Sequence, residues 1–402
     1  MRIVQTFWTA GQDPLKHSFG WSHPQYNLMS WALSCLSLRE HYDDVELYTD
    51  SAGYHILIEV LGLPYTKTHV VFDDFKCMPH HWALAKIKTY SMQTELFIHV
   101  DGDIYVPKPL LADIVDAPLI VQNREIGTSY YKEMMDRILT YPTIRIPDYV
   151  AENLGNGSLA SYNMGFFGGC DMDFIQRYCH EAFGFMEDNH MNDSTCEHSS
   201  VWCNIFFEQV LLAVLADREG IRVADVLGRS IEDEGYTVAG FSDLERYEEK
   251  QFFHLLGGHK RCRQNYEMIE KTMSNQDIAF TNFDGEGRAT TPTEHVQEGL
   301  NYIDSQLKAG YPVVAVVDYK KGTSLGGIWN DLAGDHFVII VGKTKNGEYR
   351  YYDPAKTGAD RGTSEENVFR YSNGTFISTS NNNVTANKIP QPYTLTSIRK
   401  NL

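Results

Sequence analysis

The stretch Leu96-Phe97-Ile98-His99-Val100-Asp101-Gly102-Asp103-Ile104-Tyr105-Val106 constrains this chain more than any other. Four of the five residues before Asp101 are apolar, the pattern of a buried strand, and Gly102 relaxes the backbone where two carboxylates arrive. In an extended segment residues i and i+2 project to one side, so Asp101 and Asp103 are expected to converge on a hard cation and a diphosphate bound to it. Spacing alone does not decide this. Asp171-Met172-Asp173 repeats it, yet precedes an apolar helical pattern and is expected to cap that helix.

What distinguishes the first acid pair is its setting. Residues 3–8 read as a strand and 11–24 as a loop, after which Leu28, Trp31, Ala32, Cys35 and Leu36 fall at helical spacing. A strand at 45–49 ends at Asp50, a helix covers 54–61, a strand 67–72, and a helix at 82–92 leads into the Asp-x-Asp strand. This alternation predicts an α/β fold with a doubly wound, mostly parallel sheet whose ligand edge lies at the carboxyl ends of the strands, where Asp50 and Asp101 both fall. Residues 130–160 are less regular and suit a lid or an acceptor-side insertion.

Asn163, Met164 and Gly165 belong to a second apolar strand, whose glycines either admit a sugar or phosphate close to the backbone or mark turns in a core strand. Glu208 and Gln209 interrupt an apolar helix expected over 201–215, and a buried carboxylate needs a partner or a task. His254 suits either a satisfied core position or a third metal ligand, while Lys260 can reach a diphosphate as a point charge.

The chain has 402 residues, 43% of them apolar, enough for two or three domains. Its net charge of -18 disfavours nucleic acid or an anionic membrane as the main partner, so an anionic donor would need a local cation. Seven cysteines without a C-x-x-C sit mostly in apolar helical patterns and read as reduced core residues. With no signal-type stretch and no run long enough to span a membrane, a cytoplasmic location is expected. Residues 272–293 turn polar and read as a linker; beyond them a helix at 296–309 and strands at 312–317, 336–342 and 348–354 suggest a smaller α+β domain. The Gly-containing loop at 321–327 offers a place for a protein partner.

Taken together, Ile3-Val4-Gln5-Thr6-Phe7-Trp8, Leu47-Tyr48-Thr49-Asp50, Trp82-Ala83-Leu84-Ala85-Lys86-Ile87, His99-Val100-Asp101-Gly102-Asp103, Asn163-Met164-Gly165, Phe206-Phe207-Glu208-Gln209 and the segment from His254 to Lys260 resemble an uncharacterised bacterial family of GT-A type glycosyltransferases. The resemblance covers residues 1 to about 270 and implies a Rossmann-like GT-A domain over 1–271. It implies that Asp101 and Asp103 hold Mn2+ or Mg2+ with the donor diphosphate and that His254 completes the metal shell. Trp8, Tyr48, Thr49 and Asp50 would hold the nucleotide, with Lys86, Asn163, Gly165 and Lys260 beside the donor. Glu208 is the candidate base on the acceptor hydroxyl. The implied activity is metal-dependent transfer of a sugar from a UDP- or GDP-linked donor to an acceptor that the sequence does not name.

Residues 294–402 resemble the second half of papain-like cysteine peptidases and amidases of bacterial toxin systems, through Gly310-Tyr311-Pro312-Val313-Val314, Asp335-His336-Phe337 and Tyr352-Asp353-Pro354. That likeness makes His336 a base and Asp353 its orienting group, but no cysteine follows Cys262. The rival expectations are therefore a cysteine amidase or peptidase toxin, and a sugar-nucleotide or glycan binding protein without turnover.

Overall fold

The computed structural model describes every residue except 156–158, 194, 198, 233–248, 275–276, 284–288, 320–335, 355–358, 373, 381–392 and 400–402. The chain divides into two units, Met1–Glu270 and Lys271–Leu402.

In the first unit, β1 (Arg2–Phe7), β2 (Asp44–Thr49), β3 (Lys67–Val70) and β4 (Phe97–Val100) lie parallel in the order β3-β2-β1-β4. The chain then leaves the sheet through β5 (Ile104–Tyr105) and returns as β6 (Leu119–Ile126), β7 (Ala160–Gly169) and β8 (Val223–Asp225), completing the order β3-β2-β1-β4-β7-β6-β8. β7, buried along its whole length, runs antiparallel to both β4 and β6. The sheet is therefore mixed, yet it remains mostly parallel as the alternation of elements predicted, β7 being the one strand that runs against the others. Helices Ser129–Leu139 and Asp148–Gly155 lie between β6 and β7 in the chain, yet Ile126 and Ala160 pair directly, so this connection is a hairpin with a helical insertion rather than a crossover.

Helix Pro24–His41 opens with proline at its first turn, where the missing N–H costs nothing, and buries Trp31, Cys35 and Leu38. Helix Ala83–Ser91 carries Lys86 and is buried along most of its length. Asp171 caps helix Met172–Asp188, its Oδ1 accepting from the Phe174 amide at 2.9 Å, as the sequence predicted. The helix expected over 201–215 is broken into α-helical Trp202–Ile205, π-helical Phe206–Val210 and α-helical Leu211–Glu219, and Glu208 sits in the π segment. A last short strand, β9 (Phe253–His254), pairs antiparallel with β5.

The second unit is a sheet of β10 (Asp277–Ala279), β13 (Val313–Tyr319), β14 (His336–Lys343), β15 (Tyr349–Tyr352), β16 (Val368–Ser372), β17 (Thr375–Ser378) and β18 (Tyr393–Arg399), with β11 (Thr281–Phe283) and β12 (Ala289–Pro292) as a separate pair. Pairing of β17 with β18 closes the antiparallel sheet into a barrel, over which helix Val296–Ala309 buries Ile303. The stretch 272–293, read from sequence as a linker, instead contributes β10, β11 and β12, and β10 pairs with β18. Glycine- and proline-containing polar sequence marks turns between short strands as readily as a linker. The loop at 321–327 and Asp335 lie outside the described residues. Among the described residues no helix is long and apolar enough to cross a membrane.

Candidate functional site

Because β1, β2 and β4 are parallel, their carboxyl ends open on one edge, and the acid pair leaves the last of them. The strand stops at Val100. Asp101 to Ile104 form a turn closed by the Ile104 amide on the Asp101 carbonyl at 3.1 Å, so the two carboxylates converge through a turn and not through the extended geometry predicted from spacing. Buried polar side chains hold that turn: Gln5 Nε2 donates to the Val100 carbonyl at 3.2 Å, and Ser30 Oγ to the Gly102 carbonyl at 2.8 Å. Gly102 is needed for contact, since a Cβ there would lie 2.5 Å from the Trp31 indole.

His254 reaches the pair because β9 aligns it with Ile104, and the Leu255 amide donates to the Asp103 carbonyl at 3.1 Å. Donor atoms of Asp101, Asp103 and His254 lie within 4.8 Å of one another. The tautomer of His254 follows from its other nitrogen. Nδ1 lies 2.6 Å from Gln122 Oε1, and Gln122 Nε2 donates to Asn123 Oδ1 at 3.1 Å, which fixes the amide oxygen toward the ring. Nδ1 therefore carries a hydrogen, which leaves Nε2, 3.5 Å from Asp103 Oδ1, as the nitrogen whose lone pair a cation bound between them would take. Two carboxylates and an imidazole lone pair facing one point form a donor set that fits Mn2+ or Mg2+.

Two ammonium groups flank the acids. Lys86 Nζ, almost fully buried, stands 2.8 Å from Asp101 Oδ1, 2.6 Å from Glu208 Oε1 and 3.3 Å from the Met164 carbonyl. Lys260 Nζ stands 2.5 Å from Asp103 Oδ2. Burial opposes the charge on Lys86, Asp101, Asp103 and Glu208. For Asp103 the neighbouring Lys260 and His254 outweigh it and hold the carboxyl well below its usual range. For Asp101 and Glu208 burial wins over Lys86 and raises both carboxyls, while the two acids together hold the Lys86 proton more tightly than usual.

Residues 1–279 match a protein family described as a family of unknown function, DUF6734. The chain belongs to the DUF6734 family. No curated protein matches it. In this DUF6734 chain the residues singled out from sequence divide into two groups. Asp101, Asp103, His254, Lys86, Lys260 and Glu208 meet at one place. Glu208, expected as a base, is fully buried and ion-paired with Lys86, so its carboxylate supports the site and does not face an acceptor. Gly165 lends its carbonyl to the Asp101 amide at 3.0 Å, and Asn163 Oδ1 accepts from the Gly165 amide at 3.0 Å.

The residues expected to hold the nucleotide are engaged within the protein. Asp50 accepts from the Thr9 amide, the Thr9 hydroxyl and the Gly53 amide at 2.8, 2.7 and 2.9 Å, acting as a loop tie and helix cap. Thr49 Oγ1 donates to the Phe7 carbonyl at 2.7 Å, Tyr48 stacks on His69 at 4.3 Å, and Trp8 packs edge-on to Phe75 at 5.4 Å. In the second unit His336 Nε2 lies 2.7 Å from Asp353 Oδ1, and the Tyr393 hydroxyl donates to Asp353 Oδ2 at 2.9 Å.

Sequence reasoning did not assign Gln122 or Gln5 to the site, although an amide side chain directly after an apolar run, Leu119-Ile120-Val121 and Ile3-Val4, was the available signal. Gly165 shows how tight the support is: a Cβ there would collide with Gln122 Oε1 and lie 2.7 Å from His254 Nδ1. Gly165→Ala is expected to lower Mn2+ affinity by about 10–100-fold, the range for a disturbed outer-shell partner, with an unchanged far-UV circular dichroism spectrum. Calorimetric titration of Mn2+ into both proteins checks it.

Proposed function

We propose that the first unit binds a divalent cation through Asp101, Asp103 and His254 and uses it to hold the diphosphate of a nucleotide sugar, from which the sugar passes to an acceptor. The observation that carries this reading is the convergence of two carboxylates and an oriented imidazole within 4.8 Å, at the carboxyl end of parallel strands. A cation bound there supplies Lewis-acid stabilisation of the charge that builds on the departing nucleoside diphosphate. The chain's own residues bind and orient. His254 is held by Gln122, Lys86 keeps Asp101 in place, and Lys260, part-exposed beside Asp103, can turn its ammonium toward a phosphate oxygen. A net charge of -18 makes such local cations necessary for an anionic ligand.

The test is turnover of a panel of UDP- and GDP-sugars, with and without Mn2+, read as released nucleoside diphosphate. The parent is expected to require the metal and Asp101→Ala to lose donor binding and turnover. Equal donor binding and turnover by the two proteins sinks the proposal, and metal binding without turnover of any donor favours a binding protein.

A second reading concerns the second unit and rests on the His336–Asp353–Tyr393 arrangement. With no cysteine after Cys262, a papain-like remnant serving as a binding or accessory module is the form of it that the residues support. Selective labelling of Cys262 by a thiol reagent, lost in His336→Ala, would replace it with a cysteine amidase or peptidase.

A further inference from the structure

The acid pair already has two ammonium partners within the protein, and they differ in how firmly they are kept. Lys86 answers to Asp101, Glu208 and the Met164 carbonyl at once, so its departure would leave the fully buried Glu208 without a counter-ion. Lys260 is the reverse case. Its side chain is 24% exposed, and among the described residues its only acid partner is Asp103, with Nζ 2.5 Å from Oδ2.

The backbone that carries Lys260 is fixed. The Tyr266 hydroxyl donates to the Lys260 carbonyl at 2.6 Å, Arg261 Nε donates to the Gly20 carbonyl at 3.3 Å, and Tyr266 stacks on Tyr26 at 3.9 Å. The side chain is freer. Its ammonium ends a flexible four-carbon stem and lies 5.9 Å from the centroid of the Trp21 ring, whose face stabilises it in positions away from Asp103 as well.

The two oxygens of Asp103 are divided between neighbours. Oδ1 faces His254 Nε2 at 3.5 Å, while Oδ2 takes Lys260. A cation held by Asp101, Asp103 and His254 would therefore share one carboxylate with an ammonium, and burial of Asp103 and His254 leaves little water to screen the two positive charges from each other. A diphosphate arriving without a cation meets the opposite obstacle, two carboxylates and an ammonium already engaged by one of them.

We propose that Lys260 is an exchangeable counter-ion of the acid pair: it opposes the divalent cation while no diphosphate is present, and passes from Asp103 to the diphosphate when cation and nucleotide load together. The proposal deepens the reading of the acid pair as a cation and nucleotide-sugar site and rests on it. Charge stays matched throughout the exchange, because the cation replaces the ammonium on Asp103 and the ammonium gains a phosphate oxygen. Cation and nucleotide thereby bind as a pair, each removing what obstructs the other.

The deciding measurement is calorimetry with two probes, Mn2+ alone and UDP added to Mn2+-loaded protein, with GDP run in parallel. Lys260→Met keeps most of the aliphatic stem and removes the ammonium, so it is expected to bind Mn2+ alone about tenfold or more tighter than the parent. On the Mn2+-loaded protein the same variant is expected to bind UDP or GDP about tenfold or more weaker, for want of a charge-assisted contact. Opposite signs from one substitution are the signature, and Lys260→Arg, which keeps the charge, should return both affinities toward the parent's. Weakening of both probes would show that Lys260 only supports its segment. Unchanged Mn2+ binding with weaker nucleotide binding would make it a plain phosphate contact, and tighter Mn2+ binding with unchanged nucleotide binding a counter-ion that stays where it is. Each of these three results overturns the exchange and leaves the cation site standing. If Lys260→Met does not fold, Lys260→Gln must show the same two signs. A parent that binds no Mn2+, or binds it but neither nucleotide, overturns the reading of the acid pair and the exchange with it.

Discussion

Lys86→Met is expected to destabilise the first unit by about 3–5 kcal/mol at pH 8, because it leaves the buried Glu208 and the part-buried Asp101 without their shared cation. The loss should shrink as pH falls. Burial already raises Asp101 and Glu208 above their ordinary values, with Lys86 pulling both back down, so without Lys86 both titrate higher still. Carboxyls raised in the folded state favour folding below their unfolded pKa and disfavour it as pH rises through the folded one. Urea unfolding at pH 5 and pH 8 measures the difference, and an equal loss at both values would rule out the ion-pair explanation. Added Mn2+ should restore part of the stability by binding only the folded state and neutralising Asp101.

Asp103→Ala is expected to weaken Mn2+ binding by more than about 100-fold, since even an outer-shell change costs roughly 10–100-fold. Asp171→Ala is the matched control. It removes an aspartate of the same spacing, costs about 1 kcal/mol through the lost cap on Phe174, and should leave Mn2+ affinity where it was. Calorimetry with Mn2+ alone distinguishes the two aspartates without any donor or acceptor. Comparable affinity losses in the two variants would show that the cation is held by general acidity of the chain and not by the turn.

Much of this arrangement was legible in the order of residues alone. The apolar run into Asp101 required a buried strand, and a buried strand ending in two acids required something to neutralise them. The direction of β7 was not legible, because alternating strands and helices do not state which way a strand runs once a helical insertion can span a hairpin. Asp50 was ambiguous for a related reason. An aspartate after a strand reads equally as a ligand or as the cap of the next helix, and only the Thr9 and Gly53 amides on its oxygens decide. Local patterns encode which residues are buried, while the company they keep is set by tertiary packing.

The closed barrel of the second unit has a kinetic side. β18 completes pairings with β10, β13 and β17, and β10 lies more than a hundred positions earlier in the chain. Its ring therefore forms at the cost of a long excursion of chain, as do the pairings of β1 with β4, β6 with β8 and β5 with β9 in the opening unit. Until β18 arrives, β10 and β17 each expose a row of unpaired backbone amides, so the second unit has an edge at which stray intermolecular pairing would begin.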